Sequence, residues 1–412
     1  MKEISGGVVA AQGFRAAGIR VGVKATALPM NGEGKPDLAL VLSDRVCAVA
    51  GMFTTNMVKA APVYVTQDHI SSGMSWGVVA NSGNANACAP NSRDNARRMC
   101  AAVGQVLKMR SEDFAVCSTG VIGQELNIAA IEKGAAALVE SLSREEGASD
   151  RAARAIMTTD TVKKEIAVEL ELGGRTVRMG GIAKGSGMIH PNMGTMLSFV
   201  TCDAAITPMM LNEMIHDVVP RTFNRVTVDG DTSTNDTFLV FANGAAGNPI
   251  IDWKGEDYEA LRKALMYVCT YLAKRMAGDG EGATRLITCH VQGAEDEYKA
   301  ERLARSVVGS SLVKAAMFGA DANWGRVLCA MGYSGVLFDP EAVNVSFCSE
   351  AGTVEVCRLG SALNFDEDKA KEILSQKEVV IDIKLPEGDG EATCWGCDLT
   401  YDYVKINGDY RS

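Results

Sequence analysis

Polar and apolar positions follow short, changing rhythms along this chain, not one sustained period. From residue 1 to 90 the apolar pieces are brief (38–41, 47–49, 62–65 and 76–80), each bounded by Gly, Asn, Asp or Ser. Such runs between turn formers predict mostly strands and loops. From Asn91 to Met109 the spacing becomes helical, with apolar residues at 99, 102, 103, 106 and 107 and Ser92 or Asp94 as cap. Residues 114–117 read as a short strand ending in Ser118-Thr-Gly-Val-Ile-Gly123, followed by helices over 126–142 and 152–157. Alternation at Ile166, Val168 and Leu170, a Gly173-Gly174 turn and a return through Val177 and Met179 predict a hairpin leading to Lys184.

The stretch Lys184-Gly-Ser-Gly-Met-Ile-His-Pro-Asn-Met-Gly194 is loop chemistry, since its glycines permit positive φ and close backbone approach. From Thr195 the character changes. Met196, Leu197, Phe199 and Val200 read as a strand buried on both faces. Beyond it come a helix over 208–219, a small-polar loop over 226–236, a strand over 237–241 and an amphipathic helix over 256–277 ended by Gly278. A strand over 286–291, helices over 301–317 and 366–376 and further strands, with 399–406 strand-like, complete the chain. No regular βαβ alternation runs through this order. The expected class is α+β, with layered mixed sheets covered by helices.

Composition narrows the function classes. The 412 residues carry 41 Lys and Arg against 51 Asp and Glu, a net charge of −10 without a basic block, which argues against nucleic-acid or anionic-membrane binding. No apolar run approaches a membrane span, and the start MKEISGGVVAAQGF lacks a secretion signal. Twelve scattered cysteines, many in apolar runs, suit a reducing cytoplasm.

Thr195 stands where a glycine-rich loop enters a rigid strand, so its hydroxyl can be held by the core yet face a cavity. A nucleophilic Thr needs a base, an oxyanion site and substrate anchors. Gly185-Ser-Gly187 is too short for a nucleophile elbow, and of the four histidines only His190 lies near Thr195 in sequence. Ser118-Thr-Gly120, just past the expected strand end, either aims a hydroxyl and an N–H at one spot or is an ordinary turn. The amides of Asn81-Ser-Gly-Asn-Ala-Asn-Ala-Cys88 line a pocket or, as we favour, satisfy turn backbone. Asp229, Asp231 and Asp236 lack EF-hand spacing, so hydrogen bonding within a rigid loop is preferred to a cation site. Cys394-Trp-Gly-Cys397 allows a redox pair, but that needs a helix N-terminus, and no second C-x-x-C completes a zinc site.

KGSGMIHPNMGTMLSF, Phe53-Thr-Thr-Asn56, the 81–88 loop, Gly319-Ala-Asp-Ala-Asn-Trp-Gly-Arg326 and the C-terminal INGDYRS together resemble the ornithine acetyltransferase family, the glutamate N-acetyltransferases of arginine biosynthesis. The resemblance runs from Gly51 to the last residue. It implies an N-terminal-nucleophile-like enzyme that cuts itself between Gly194 and Thr195 into chains 1–194 and 195–412. The family commonly has Ala where Gly194 stands; Gly is no bulkier. The expected subdomains are about 1–275 and 276–412.

The resemblance implies Thr195 as nucleophile, Thr119 (hydroxyl) and Gly120 (N–H) as oxyanion hole, and substrate contacts at Thr158, Lys184, Thr195, Glu281, Asn407 and Ser412. Ser412 stands where the family commonly has Thr. The base is expected to be the new α-amine of Thr195, whose reference pKa of about 7.7–8.0 lies near operating pH. Lys184 suits a substrate α-carboxylate and Glu281 a side-chain ammonium. The implied reaction moves an acetyl group from N2-acetylornithine to glutamate, with no organic cofactor and no metal. Acetyl-CoA as a second donor is left open. The implied assembly is a heterotetramer of two chains of each kind. The alternative is an autoproteolytic Thr-nucleophile amidase or aminopeptidase, which passes its acyl group to water.

Overall fold

A computed structural model describes residues 1–24, 34–189 and 196–409. Two mixed sheets and eleven α-helices are formed by the described residues. The larger sheet runs in the order Lys2–Ile4, Lys164–Leu172, Arg175–Lys184, Leu197–Cys202, Thr237–Ala242, Leu38–Phe53, Met74–Asn84, Phe114–Val121, with Phe14–Ile19 pairing on Leu38–Phe53. The second runs Ser361–Ala362, Gly352–Arg358, Asn344–Ser349, Glu378–Lys384, Leu286–Ala294, Gly390–Cys397, Val226–Thr227. Parallel and antiparallel neighbours occur in both. The α+β layering read from the element order is the observed one.

Leu197–Cys202 lies inside the larger sheet, antiparallel to Arg175–Lys184 and parallel to Thr237–Ala242. All six of its residues are buried. Leu197 and Phe199 join the core that includes helix Glu146–Ile156, while Val200 and Cys202 join the core under helices Pro208–Val218 and Glu256–Gly278. Helices on both faces explain the unbroken apolar run. The helix Glu256–Gly278 also buries residues against Leu286, Trp395 and Cys397, so it ties the second sheet to the first.

Several expectations need correction. The strand beginning at Phe114 does not stop at Cys117 but continues through Ser118, Thr119 and Gly120 to Val121, because these residues pair with Asn81, Ser82 and Gly83. Residues 62–65 belong to helix Ala61–His69. Pro62 sits in its first turn, where no N–H is needed, and Thr66 bonds its hydroxyl to the Val116 carbonyl at 2.6 Å. The cap before Ser92–Leu107 is Asn91 in the left-handed region, not Ser92 or Asp94.

The helix expected over 301–317 is two, Glu297–Gly309 and Ser311–Phe318. Ser310 is extended between them, and its hydroxyl caps the second by accepting from Val313 N. Trp324–Gly332 and Tyr401–Asp409 are helices too. Thr400 starts the latter, its hydroxyl accepting from Tyr403 N and donating to the Gly282 carbonyl, so a local cap overrides the strand-like composition. The Gly173-Gly174 turn forms as expected, both residues at positive φ, which matches the twist of the two strands it joins.

Candidate active site

The parallel pairing of Phe114–Val121 with Met74–Asn84 sets Thr119 opposite Ser82 and Gly120 opposite Gly83, and the register slips at Asn84. Gly120 has φ +133°, and a Cβ there would fall 2.3 Å from the Gly83 carbonyl carbon. Only glycine fits. Thr119 is 3% exposed, and its Oγ1 accepts from Lys184 Nζ at 3.2 Å. Lys184 ends its strand opposite Leu197, so it reaches Thr119 from beside the strand that Thr195 precedes. Burial pulls the Lys184 pKa down, while Asp160, Asp236 and Glu281 oppose the shift and Lys164 adds to it.

Beneath this pair lies a buried charge network. Asp160 Oδ1 accepts from Lys164 Nζ at 2.7 Å and from Gly185 N at 2.7 Å, and Oδ2 from Thr158 N at 3.0 Å. Lys164 Nζ also meets Asp279 Oδ2 at 2.6 Å, and Asp279 accepts from Thr161 and Val162. Burial alone would raise the Asp160 carboxyl, but Lys164, Lys184 and the Gly185 N–H hold it at about 2. Thr158 is thus placed by Asp160, and Asp160 in turn fixes the backbone just after Lys184.

Glu281 is 8% exposed, and its amide donates to the Ser186 carbonyl at 3.0 Å. Its Oε2 accepts from Asn407 Nδ2 at 2.8 Å. Gly187 leaves room for that carboxylate, since a Cβ there would lie 2.3 Å from Glu281 Cδ. The structure therefore joins Thr119 directly to Lys184, Thr158 through Asp160, and Glu281 and Asn407 through the 184–189 loop. Gly194, Thr195 and Ser412 lie outside the described residues, as does His190. Met196, the first described residue after that gap, gives its N–H to Asp236 Oδ1 at 2.8 Å.

Sequence reasoning passed over Asp160, Lys164, Asp279 and Lys24. Lys24 donates to the Pro36 carbonyl at 2.8 Å and lies over Gly83, the partner of Gly120. Burial pulls its pKa to about 8 against Asp37, with Lys35 and Lys184 adding to the fall. The i, i+4 spacing of Asp160 and Lys164 was the one available signal, and it does not reveal burial.

Elsewhere, the amides of the 81–88 loop serve backbone and hydroxyl groups. Asn81 accepts from Ser118 Oγ and donates to Asn84 O, while Asn84 accepts from Asn86 N. Asp229 accepts from Met188, Ile189 and Asp231 N–H groups and from the Tyr403 hydroxyl. Cys394 and Cys397 stand three positions apart on one strand, in different cores, and burial pushes Cys394 up to about 12. Thiols so placed are poor nucleophiles. Among the described residues, no group of three His, Cys, Asp or Glu is arranged to hold a metal, and no helix is long and apolar enough to cross a membrane.

Residues 15–412 match the ArgJ family model. The chain is 51% identical over 413 residues, all of both chains, to the arginine biosynthesis bifunctional protein ArgJ of Symbiobacterium thermophilum. It is 46% identical over 413 residues, again all of both, to that of Caldanaerobacter subterraneus subsp. tengcongensis. Among solved structures, the ornithine acetyltransferase complexed with ornithine from Mycobacterium tuberculosis is 39% identical, covering 45% of this chain and 94% of its own, with TM-score 0.41. The chain belongs to the ArgJ family, and it is an enzyme.

Proposed function

We propose that the chain transfers an acetyl group from N2-acetylornithine to glutamate through an acetyl ester on Thr195. The observation that carries this is the Lys184–Thr119 hydrogen bond. By occupying a lone pair of Thr119 Oγ1, the ammonium leaves the hydroxyl proton free to donate to an oxyanion. Thr195 Oγ adds to the acetyl carbonyl, Thr119 and Gly120 hold the oxyanion, and the C–N bond breaks as the Oγ proton passes by way of the Thr195 amine to the departing ornithine. Glutamate's amine then attacks the ester and the steps reverse. One amide replaces another, so the cycle needs no organic cofactor and no metal. Acetyl-CoA as a second acetyl donor is tested by repeating the transfer assay with labelled acetyl-CoA in place of acetylornithine.

Substrate recognition follows the charges. Thr158 lines the site from Asp160. Lys184 keeps donors to spare for a substrate α-carboxylate, and Glu281, with Asn407 and Ser412, suits the side-chain ammonium of ornithine. Maturation uses the same nucleophile. Thr195 Oγ attacks the Gly194 carbonyl, water hydrolyses the ester, and chains 1–194 and 195–412 result. The two kinds of chain then associate as a heterotetramer in the cytoplasm, where the twelve free cysteines stay reduced.

The test is a mass spectrum with a transfer assay. Wild type should give two chains, the second beginning with Thr195, and move labelled acetyl from acetylornithine to glutamate. Thr195→Ala should stay uncut and inactive. Processing of the alanine variant would overturn the nucleophile, and label passing to water without glutamate would favour the amidase reading.

A further inference from the structure

The segment from Ser233 to Thr237 contains five polar residues, and all are buried: Asp236 is 0% exposed and none of the others exceeds 6%. Buried polar groups are costly unless each is bonded, and here the bonds run to two places that matter. Asp236 Oδ1 takes the Met196 N–H at 2.8 Å, and Thr237 N donates to the Met196 carbonyl at 3.0 Å, so residue 196 is gripped at both ends. Asn235 Nδ2 donates to the Ser118 carbonyl at 2.8 Å and to the Ala85 carbonyl at 2.7 Å. The residue next to the nucleophile and the residue next to Thr119 are thus held by two consecutive side chains.

The clamp is itself immobilised. Asn235 Oδ1 accepts from Thr234 Oγ1, and the Asn235 backbone N–H donates to Ser233 Oγ. Thr54 N donates to the Asp236 carbonyl, Thr54 Oγ1 to the Ser233 carbonyl, and Ala60 N to the Thr234 carbonyl. We propose that Asn235 and Asp236 are positioning residues that set the separation between the Thr195 nucleophile and the Thr119–Gly120 oxyanion pair, for self-cleavage and for acetyl transfer alike. This rests on the nucleophile reading above.

Asp236 meets Met196 through one carboxyl oxygen alone. Its Oδ2 receives no hydrogen bond. Burial also pushes the carboxyl well above the usual range, against the Met196 N–H and the Lys184 charge. An asparagine presents an acceptor of the same shape to the Met196 N–H. The proposal therefore distinguishes variants that a merely charged or merely space-filling role would not.

The experiment compares Asp236→Ala, Asp236→Asn and Asn235→Gln in the full chain. It measures the self-cleavage rate by mass spectrometry, kcat and KM for transfer from acetylornithine to glutamate, and the melting temperature. A displacement near 1 Å costs about 10²-fold in rate. Asp236→Ala should therefore slow cleavage and lower kcat by about that factor with KM changed by less than about threefold, and Asp236→Asn should recover at least tenfold of the loss. Asn235→Gln keeps the amide but shifts it by one methylene, and should lower kcat by about tenfold at a melting temperature near wild type. It serves if the alanine variant does not fold.

The proposal is overturned if either clamp variant cuts and turns over like wild type. It is overturned equally if Asn fails as badly as Ala, or if the losses appear in KM. Failure of the nucleophile reading looks different: wild type itself would remain uncut or would not transfer acetyl.

Discussion

Lys164→Met offers the sharpest test of the charge network under the site. The ammonium lies 2.7 Å from Asp160 Oδ1 and 2.6 Å from Asp279 Oδ2, and the side chains of Lys164 and Asp160 are fully buried. Methionine fills most of the volume but leaves two carboxylates facing each other. Removing one partner of a buried pair costs about 3–5 kcal/mol. A partial check comes from Asp160, whose carboxyl is held at about 2 against an ordinary 3.8. That difference corresponds to roughly 2 kcal/mol, and Lys184 and backbone N–H groups contribute to it as well as Lys164. An expected loss of about 3–5 kcal/mol at pH 7 is therefore consistent with the structure.

The pH dependence has a definite sign. A depressed carboxyl contributes stability that is fully present above its unfolded value and is lost as pH falls through the folded one. Wild type should therefore lose roughly 2 kcal/mol from this group between about pH 5 and pH 2. In Lys164→Met the Asp160 carboxyl moves up, so protonating it relieves the variant. Its deficit relative to wild type should shrink from pH 7 to pH 4. Urea unfolding followed by tryptophan fluorescence, with all variants built on uncut Thr195→Ala, measures this on single chains. Adding Asp160→Asn to Lys164→Met should restore at least about 1 kcal/mol, the coupling expected of groups in contact. A deficit below about 1 kcal/mol, or one that grows in acid, would refute the reasoning.

Thr119→Ala should lower kcat by about 10²–10³ with KM little changed, the scale for losing one oxyanion donor, and Thr119→Ser should recover much of it. A loss confined to KM would make Thr119 a ground-state contact. Glu281→Gln keeps the Asn407 contact in shape but removes the charge, and should weaken acetylornithine by about 1–3 kcal/mol while affecting glutamate less. Equal losses for both substrates, read from steady-state kinetics, would retire the ammonium-partner role.

The sequence determined on its own what depends on local pattern. The helix at 256–277 was legible from its 3.6-residue spacing, and the hairpin before Lys184 from strict alternation around two glycines. The Leu197–Cys202 strand was legible because burial on both faces leaves no polar position to obscure it. The resemblance supplied Thr119, Lys184 and Glu281, which the fold then brings into one neighbourhood. Tertiary structure alone decided the rest. Strand pairing with Met74–Asn84 extends the strand over Thr119 and Gly120, where local chemistry suggested a turn. A cap at Thr400 makes a helix of a segment rich in strand formers. Asp160, Lys164 and Asp279 look like ordinary surface charges in sequence, yet they close into a buried network across more than a hundred residues. Burial and long-range pairing depend on what the rest of the chain places alongside, and no local pattern carries that information.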